Sequence, residues 1–189
     1  MSTHEVKVPR SATSIHVTAL DGIINVNSLF TLAVFVGLAW NPTDRSFSLV
    51  DDPDCLASRS VAEGLVSFHV FSFASFLFSS VVAQGLKQAI RLSENHHASA
   101  APHHRHHEAG GMLTHVNKTV LRAGMLICAV GSVSGCMFLM LALIDFVQVK
   151  LGSLSCRGFW TMSAVAPLVI LIPAAIIIYI CVVIHAFMR

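Results

Sequence analysis

Charge is scarce in this chain, and where it is missing altogether fixes the solvent. Of 189 residues only 12% are Asp, Glu, Lys or Arg, while 54% are apolar. No charged side chain falls between Ile23 and Trp40, between Gly64 and Leu86, or between Phe159 and Met188. A water-soluble chain of this size would lack the polar surface to stay dispersed, so the composition excludes an ordinary soluble domain. Other absences exclude chemistries. No Cys-x-x-Cys pair occurs, which argues against a thiol oxidoreductase. A phosphate-binding glycine loop, a His-Glu-x-x-His helix and a nucleophile with a placed base are all missing, so no catalytic residues are assigned. The first twenty residues have no apolar core followed by a small-residue cleavage site, and the first span is expected to act as an uncleaved targeting signal.

What remains is four long apolar runs, about 23–40, 64–85, 123–147 and 159–184. A helix needs about 20 mainly apolar residues to cross a bilayer. The expected fold is therefore all-α, a four-transmembrane-helix bundle of two helical hairpins. Residues 1–20 form a polar tail and 21–189 a single transmembrane domain, with a His-rich, disordered loop at about 93–116. Basic residues set the orientation, since they accumulate on the cytoplasmic side. Eight lie in the tail, the central loop and the C-terminus, against four (Arg45, Arg59, Lys150, Arg157) in the other two loops. Cytoplasmic termini follow, and Trp40 and Trp160 then sit at the outer interface, where indole rings collect.

This topology sorts the five cysteines. Cys55 and Cys156 are the only two outside the spans, and both face the oxidising side. A disulfide between them is predicted. Cys128, Cys136 and Cys181 lie within spans and read as small buried hydrophobes.

Small residues at helical spacing mark contact faces between spans. Gly124, Cys128, Ser132 and Cys136 recur every four residues on the third span, with Gly131 and Gly135 beside them. An intramolecular neighbour is expected for this face. On the second span phenylalanines alternate with serines that would bond neighbouring backbone. Pro167 and Pro173 predict a kink in the fourth span.

Polar groups at membrane depth form two sets. Glu63, His69, Asp145 and Gln148 are expected to cluster in one leaflet, with Asp145 accepting a hydrogen bond from His69 or from the first span. Asp21 is expected to cap the first helix. Asn25, Asn27, Ser28 and Thr31 follow it as a polar patch in the other leaflet, suited to interhelical hydrogen bonds or to a headgroup or cytosolic partner. His185 and His69 fall in opposite leaflets and cannot share one haem.

The central loop carries His96, His97, His103, His104, His106 and His107. Imidazoles bind zinc, copper and nickel, so weak metal binding is the functional reading and a low-complexity tether the bland one. His103, His106 and His107 resemble one box of a membrane di-iron enzyme, but the ligands for two irons are too few. Asn117-Lys118-Thr119 is a glycosylation triplet that this topology leaves in the cytosol.

The segment Thr18 to Pro42, TALDGIINVNSLFTLAVFVGLAWNP, resembles the small plant membrane proteins called maternal effect embryo arrest 60-like, as do Val61 to Phe73 and Gly85 to Leu92; the resemblance covers the first half of the chain well and the rest more loosely. The resemblance implies a plant origin, a role in development and a non-enzymatic integral membrane protein; it assigns no site residues. The expected function is a structural or adaptor component of a membrane complex, with a small transporter or channel subunit, metal-linked through the His-rich loop, as the alternative. Expected partners are the lipid bilayer and other membrane proteins or further copies, with no cofactor and no nucleic acid. The expected location is the secretory pathway, at the plasma membrane or an endomembrane.

Overall fold

The computed structural model describes the backbone of residues 12–39, 48–50, 52–99, 118–156 and 158–188. Side chains are described for 17–39, 48–50, 52–92, 119–156, 158–183 and 185. Four helices dominate: α1 (Ala12–Ala39), α2 (Arg59–Ser99), α3 (Lys118–Leu151) and α4 (Phe159–Met188). All four are long and apolar enough to cross a membrane. Among the described residues there is no strand.

The helices outrun the apolar spans. At 41 residues α2 would measure roughly 60 Å, twice a bilayer core of about 30 Å. The reason lies in its last turns, where Gln88, Ala89, Arg91, Leu92 and Glu94 favour helix and neither Gly nor Pro intervenes before Pro102. The loop expected from residue 93 is therefore helical as far as Ser99. At its start α1 likewise begins nine residues before Asp21. Asp21 sits inside the helix and is not its cap, because Thr13 to Leu20 already continue the helical run.

The central contact is between α2 and α3, which lie antiparallel. Leu86 meets Gly124, Ser79 meets Gly131, Phe76 meets Gly135 and Gly64 meets Asp145. One register thus holds from Gly64 to Leu86 of α2. The α3 glycines permit it: a Cβ on Gly135 would lie 2.7 Å from ring carbons of Phe76, and one on Gly124 2.6 Å from Leu86. Such approach of helix surfaces replaces the hydrophobic drive that lipid cannot supply. The small-residue stripe on α3 therefore packs within the chain. Of its members Gly124, Cys128, Gly131 and Gly135 are buried, and Ser132 and Cys136 are half-buried.

Against this pair α1 lays one face. Leu20, Asn27 and Val34 recur every seven residues and are all buried. Leu20 joins Ala83, Ile90 and Cys128 in one core cluster, and Phe30 stacks on the fully buried Phe76 with centroids 5.3 Å apart. By contrast α4 packs chiefly on α3. Its seam is narrow: Thr161 and Val165 are buried, Leu168, Ile172, Ile176, Tyr179 and Val183 half-buried, at intervals of three and four. Ile170, Leu171, Ile177, Ile178 and Val182 are exposed, as expected of a helix whose other faces meet lipid. The helix continues unbroken through Pro167 and Pro173.

Two short 3-10 turns, Pro53–Cys55 and Leu154–Cys156, join the helices at one end. They carry the predicted disulfide, Cys55 to Cys156, with Cα atoms 5.8 Å apart. Backbone bonds reinforce it: Leu49 N donates to Lys150 O at 3.0 Å and Ser153 N to Cys55 O at 2.9 Å. The turn depends on Gly152, whose φ of +100° ends α3 in a conformation that L side chains avoid. Its amide donates back to Gln148 O at 3.0 Å, and a Cβ there would sit 3.2 Å from Val50 and 3.3 Å from the Cys55 carbonyl.

Candidate functional site

The most concentrated polar chemistry lies where α1, α2 and α3 meet. Asn27 on α1 is 1% exposed, which in a span requires every polar atom to find a partner. Its Nδ2 donates to Ser79 Oγ at 2.8 Å, and its Oδ1 accepts from Ser132 Oγ at 3.1 Å. Ser79 Oγ in turn donates to the Cys128 carbonyl at 2.8 Å and lies 2.9 Å from Ser132 Oγ. Each hydroxyl has one proton. Ser79 gives its own to Cys128 and accepts from Asn27, while the Ser132 proton is shared between Asn27 and Ser79. One amide and two hydroxyls thereby tie three helices together.

Two turns away, Ser72 Oγ donates to the Gly135 carbonyl at 2.9 Å. Other serines bond their own helix: Ser67 to Glu63 O, Ser75 to Phe71 O and Ser28 to Ile24 O. Ser80 Oγ is buried with no hydrogen-bond partner among the described residues.

The expected polar cluster at the disulfide end divides. Asp145 and Gln148 do come together, Gln148 Nε2 donating to Asp145 Oδ1 at 3.3 Å. Glu63 instead pairs with Arg59 at 2.8 Å on an exposed helix face. His69 donates from Nδ1 to Leu65 O at 2.8 Å, and its Nε2 edge lies against Gly37 of α1. Among the described residues no hydrogen bond joins His69 to Asp145, nor Asp145 to α1. Helical geometry explains the correction. Gly64, which abuts Asp145, and His69 are five residues apart on α2, about 140° around the helix. They face opposite sides.

The expected patch on α1 divides too. Asn27 belongs to the three-helix network, whereas Asn25 and Ser28 are exposed and Thr31 is half-buried. Asp21 forms an ion pair with Lys87 of α2 at the end opposite the disulfide. Sequence reading places both residues at a span end but does not pair them, because their contact depends on the α1–α2 register. His103, His104, His106 and His107 lie outside the described residues, as do the side chains of His96 and His97. Among the described residues no three His, Cys, Asp or Glu side chains converge as metal ligands. Trp160 is exposed and stacks edge-on with Phe159, centroids 5.5 Å apart; Trp40 lies outside the described residues.

A shallow groove of about 540 Å³ runs between α2 and α3, lined by Ala74, Ser75, Phe78, Val130, Gly131 and Ser134 among others. No family model, curated protein or solved structure matches this chain.

Proposed function

We propose that this chain is a non-enzymatic, multi-pass membrane protein that acts as a structural or adaptor component of a larger membrane complex. The observation that carries the reading is the Asn27–Ser79–Ser132 network. Its polar groups are aimed at one another and at the Cys128 carbonyl, so they hold helices together. Along the same helices Leu20, Val34, Leu65 and Phe76 are fully buried, in keeping with a packed interior and not with a transport passage.

In this reading the helices form a bundle of two hairpins with cytoplasmic termini. The Cys55–Cys156 bond then faces the lumen or cell exterior, in keeping with the redox chemistry of those compartments. The protein resides in the secretory pathway, at the plasma membrane or an endomembrane. The resemblance of residues 18–42 to the maternal effect embryo arrest 60-like proteins supports a plant origin and a developmental role.

The test uses the full-length chain twice. In native membranes, mild-detergent extraction should release it in an assembly heavier than the 20.4 kDa chain together with its detergent. Reconstituted alone in vesicles, it should pass zinc ions and protons no faster than empty vesicles. Saturable flux would establish the transporter alternative and overturn the proposal.

A further inference from the structure

Asp145 is the only charged residue inside the apolar span of α3 at 123–147, and it does not face α1. Its Oδ2 lies 2.8 Å from where a Cβ on Gly64 would stand, on the side of α2 that is turned away from the His69–Gly37 contact. Among the described residues its hydrogen bond comes from neutral Gln148, while Arg59 pairs with Glu63 and Lys87 with Asp21. Among the described residues no ion pair to Asp145 occurs. A half-buried carboxylate inside an apolar span, here about 3 Å from the end of that span by helical rise, is a rare feature, and such groups pair with opposite charge.

The same side of the α2–α3 pair carries the open groove. Gly131 and Asp145 are separated by fourteen residues, about four turns and 21 Å, so they occupy nearly one face of α3. Between them Phe71 and Phe138 lie with centroids 5.4 Å apart. Ala74, Ser75, Gly131 and Ser134 line the groove with small side chains, which allow a helix backbone to approach closely. α1 occupies the other side of the pair.

We infer that this face docks a transmembrane helix of a different protein, one bearing a single Arg or Lys at the depth of Asp145. Charge complementarity selects the occupant. A second copy of this chain cannot supply the cation from within a span, since none of the four apolar runs contains Lys or Arg. The inference rests on the adaptor reading and names the chemistry of its partner.

The experiment reconstitutes the full-length protein in phosphatidylcholine vesicles with a labelled Leu/Ala transmembrane peptide, and reads association by energy transfer. One peptide carries Arg about 3 Å inside one end of its apolar segment, a depth matched to Asp145 by helical rise from the end of the apolar run at residue 147; its control carries Leu there. The expected result is association at least tenfold stronger for the Arg peptide. D145N should abolish that preference, and Ala74→Phe, which fills the groove from an exposed position, should weaken binding of the Arg peptide. Retention of the Cys55–Cys156 bond verifies that each variant is folded. Equal binding of the two peptides, or a preference that survives D145N, would overturn the inference, as would self-association of the wild-type protein that excludes both peptides. The mass of the native assembly reports on the adaptor reading separately: a heavy assembly with no Arg preference sinks this inference alone.

Discussion

Ser79 donates to the carbonyl of Cys128 at 2.8 Å, and Ser72, seven residues earlier, donates to the carbonyl of Gly135, seven residues later, at 2.9 Å. The equal spacing on two antiparallel helices makes these bonds rungs of one ladder, with α2 the donor and α3 the acceptor. Side chains rarely reach a helical carbonyl on a neighbour unless the backbones come close, and the bare Gly131 and Gly135 surfaces allow that here.

Ser79→Ala should therefore destabilise the protein more than any other serine substitution on α2. It removes the rung to Cys128 and the acceptor for Asn27 and Ser132, and with interhelical bonds worth about 0.6 kcal/mol each the loss is roughly 2 kcal/mol. Ser80→Ala is the matched control. Its hydroxyl is buried without a partner among the described residues, so removing it should leave stability unchanged or raise it by about 0.5–1 kcal/mol. Unfolding in mixed micelles of increasing sodium dodecyl sulfate fraction measures both. A stability equal for the two variants would mean that the network contributes nothing.

The glycines give a graded series. A Cβ at Gly135 would press on the ring of Phe76, which is fully buried and stacked on Phe30. The ring has no space to move into, and Gly135→Ala should cost about 1–3 kcal/mol as overpacking does elsewhere. At Gly124 the obstacle is the end of the flexible Leu86 side chain, and the cost should be smaller. Gly85 has nothing within 4 Å of its would-be Cβ, so alanine there should be neutral or stabilising, since it relieves the entropic cost of glycine in a helix. The order of the three variants in the same micelle titration is the check.

What the sequence makes legible depends on the length scale of each signal. The four spans and the Cys55–Cys156 pair rest on composition and on which loop a residue occupies, and neither needs a register. The stripe of Gly124, Gly131 and Gly135 rests on spacing within one helix, and its partner on α2 could be named only as some neighbour. Asn27 was visible as a polar residue in a span, but its partners are set by how α1 slides along α2 and α3, which no local pattern encodes. The same dependence on register separates His69 from Asp145. Both lie near the disulfide end, but depth alone does not say which face of α2 each one meets. Asp21 differs in kind: the start of the apolar run suggests a capping residue, whereas the helix begins earlier in polar sequence at Ala12.

The ion pair between Asp21 and Lys87 offers a test of the α1–α2 register. Both side chains retain some exposure, 41% and 23%, which limits their contribution to about 0.5–1 kcal/mol. Asp21→Lys should lower stability by more than Asp21→Asn, because it sets two cations together. Adding Lys87→Asp to Asp21→Lys should restore most of the loss. Failure of the charge-swapped pair to recover, measured as the midpoint of thermal unfolding in a mild detergent, would show that the two helices are not aligned as described.

The disulfide connects the turn before α2 to the turn after α3, 101 residues apart in sequence, and it acts on two segments already held by the Leu49–Lys150 and Ser153–Cys55 backbone bonds. In a soluble chain closing so long a loop would be worth about 4–5 kcal/mol. Insertion of the helices already restricts the unfolded chain, so a smaller effect, on the order of 2 kcal/mol, is expected. Cys55→Ser and Cys156→Ser should each show it, and the double variant should be no worse than either single one, because one bond is lost in every case. Additive losses in the double variant would mean that the two sulfurs act separately and are unpaired in the membrane. Before any stability measurement, alkylation of the wild-type protein under denaturing conditions should label three cysteines without reductant, Cys128, Cys136 and Cys181, and all five after reduction.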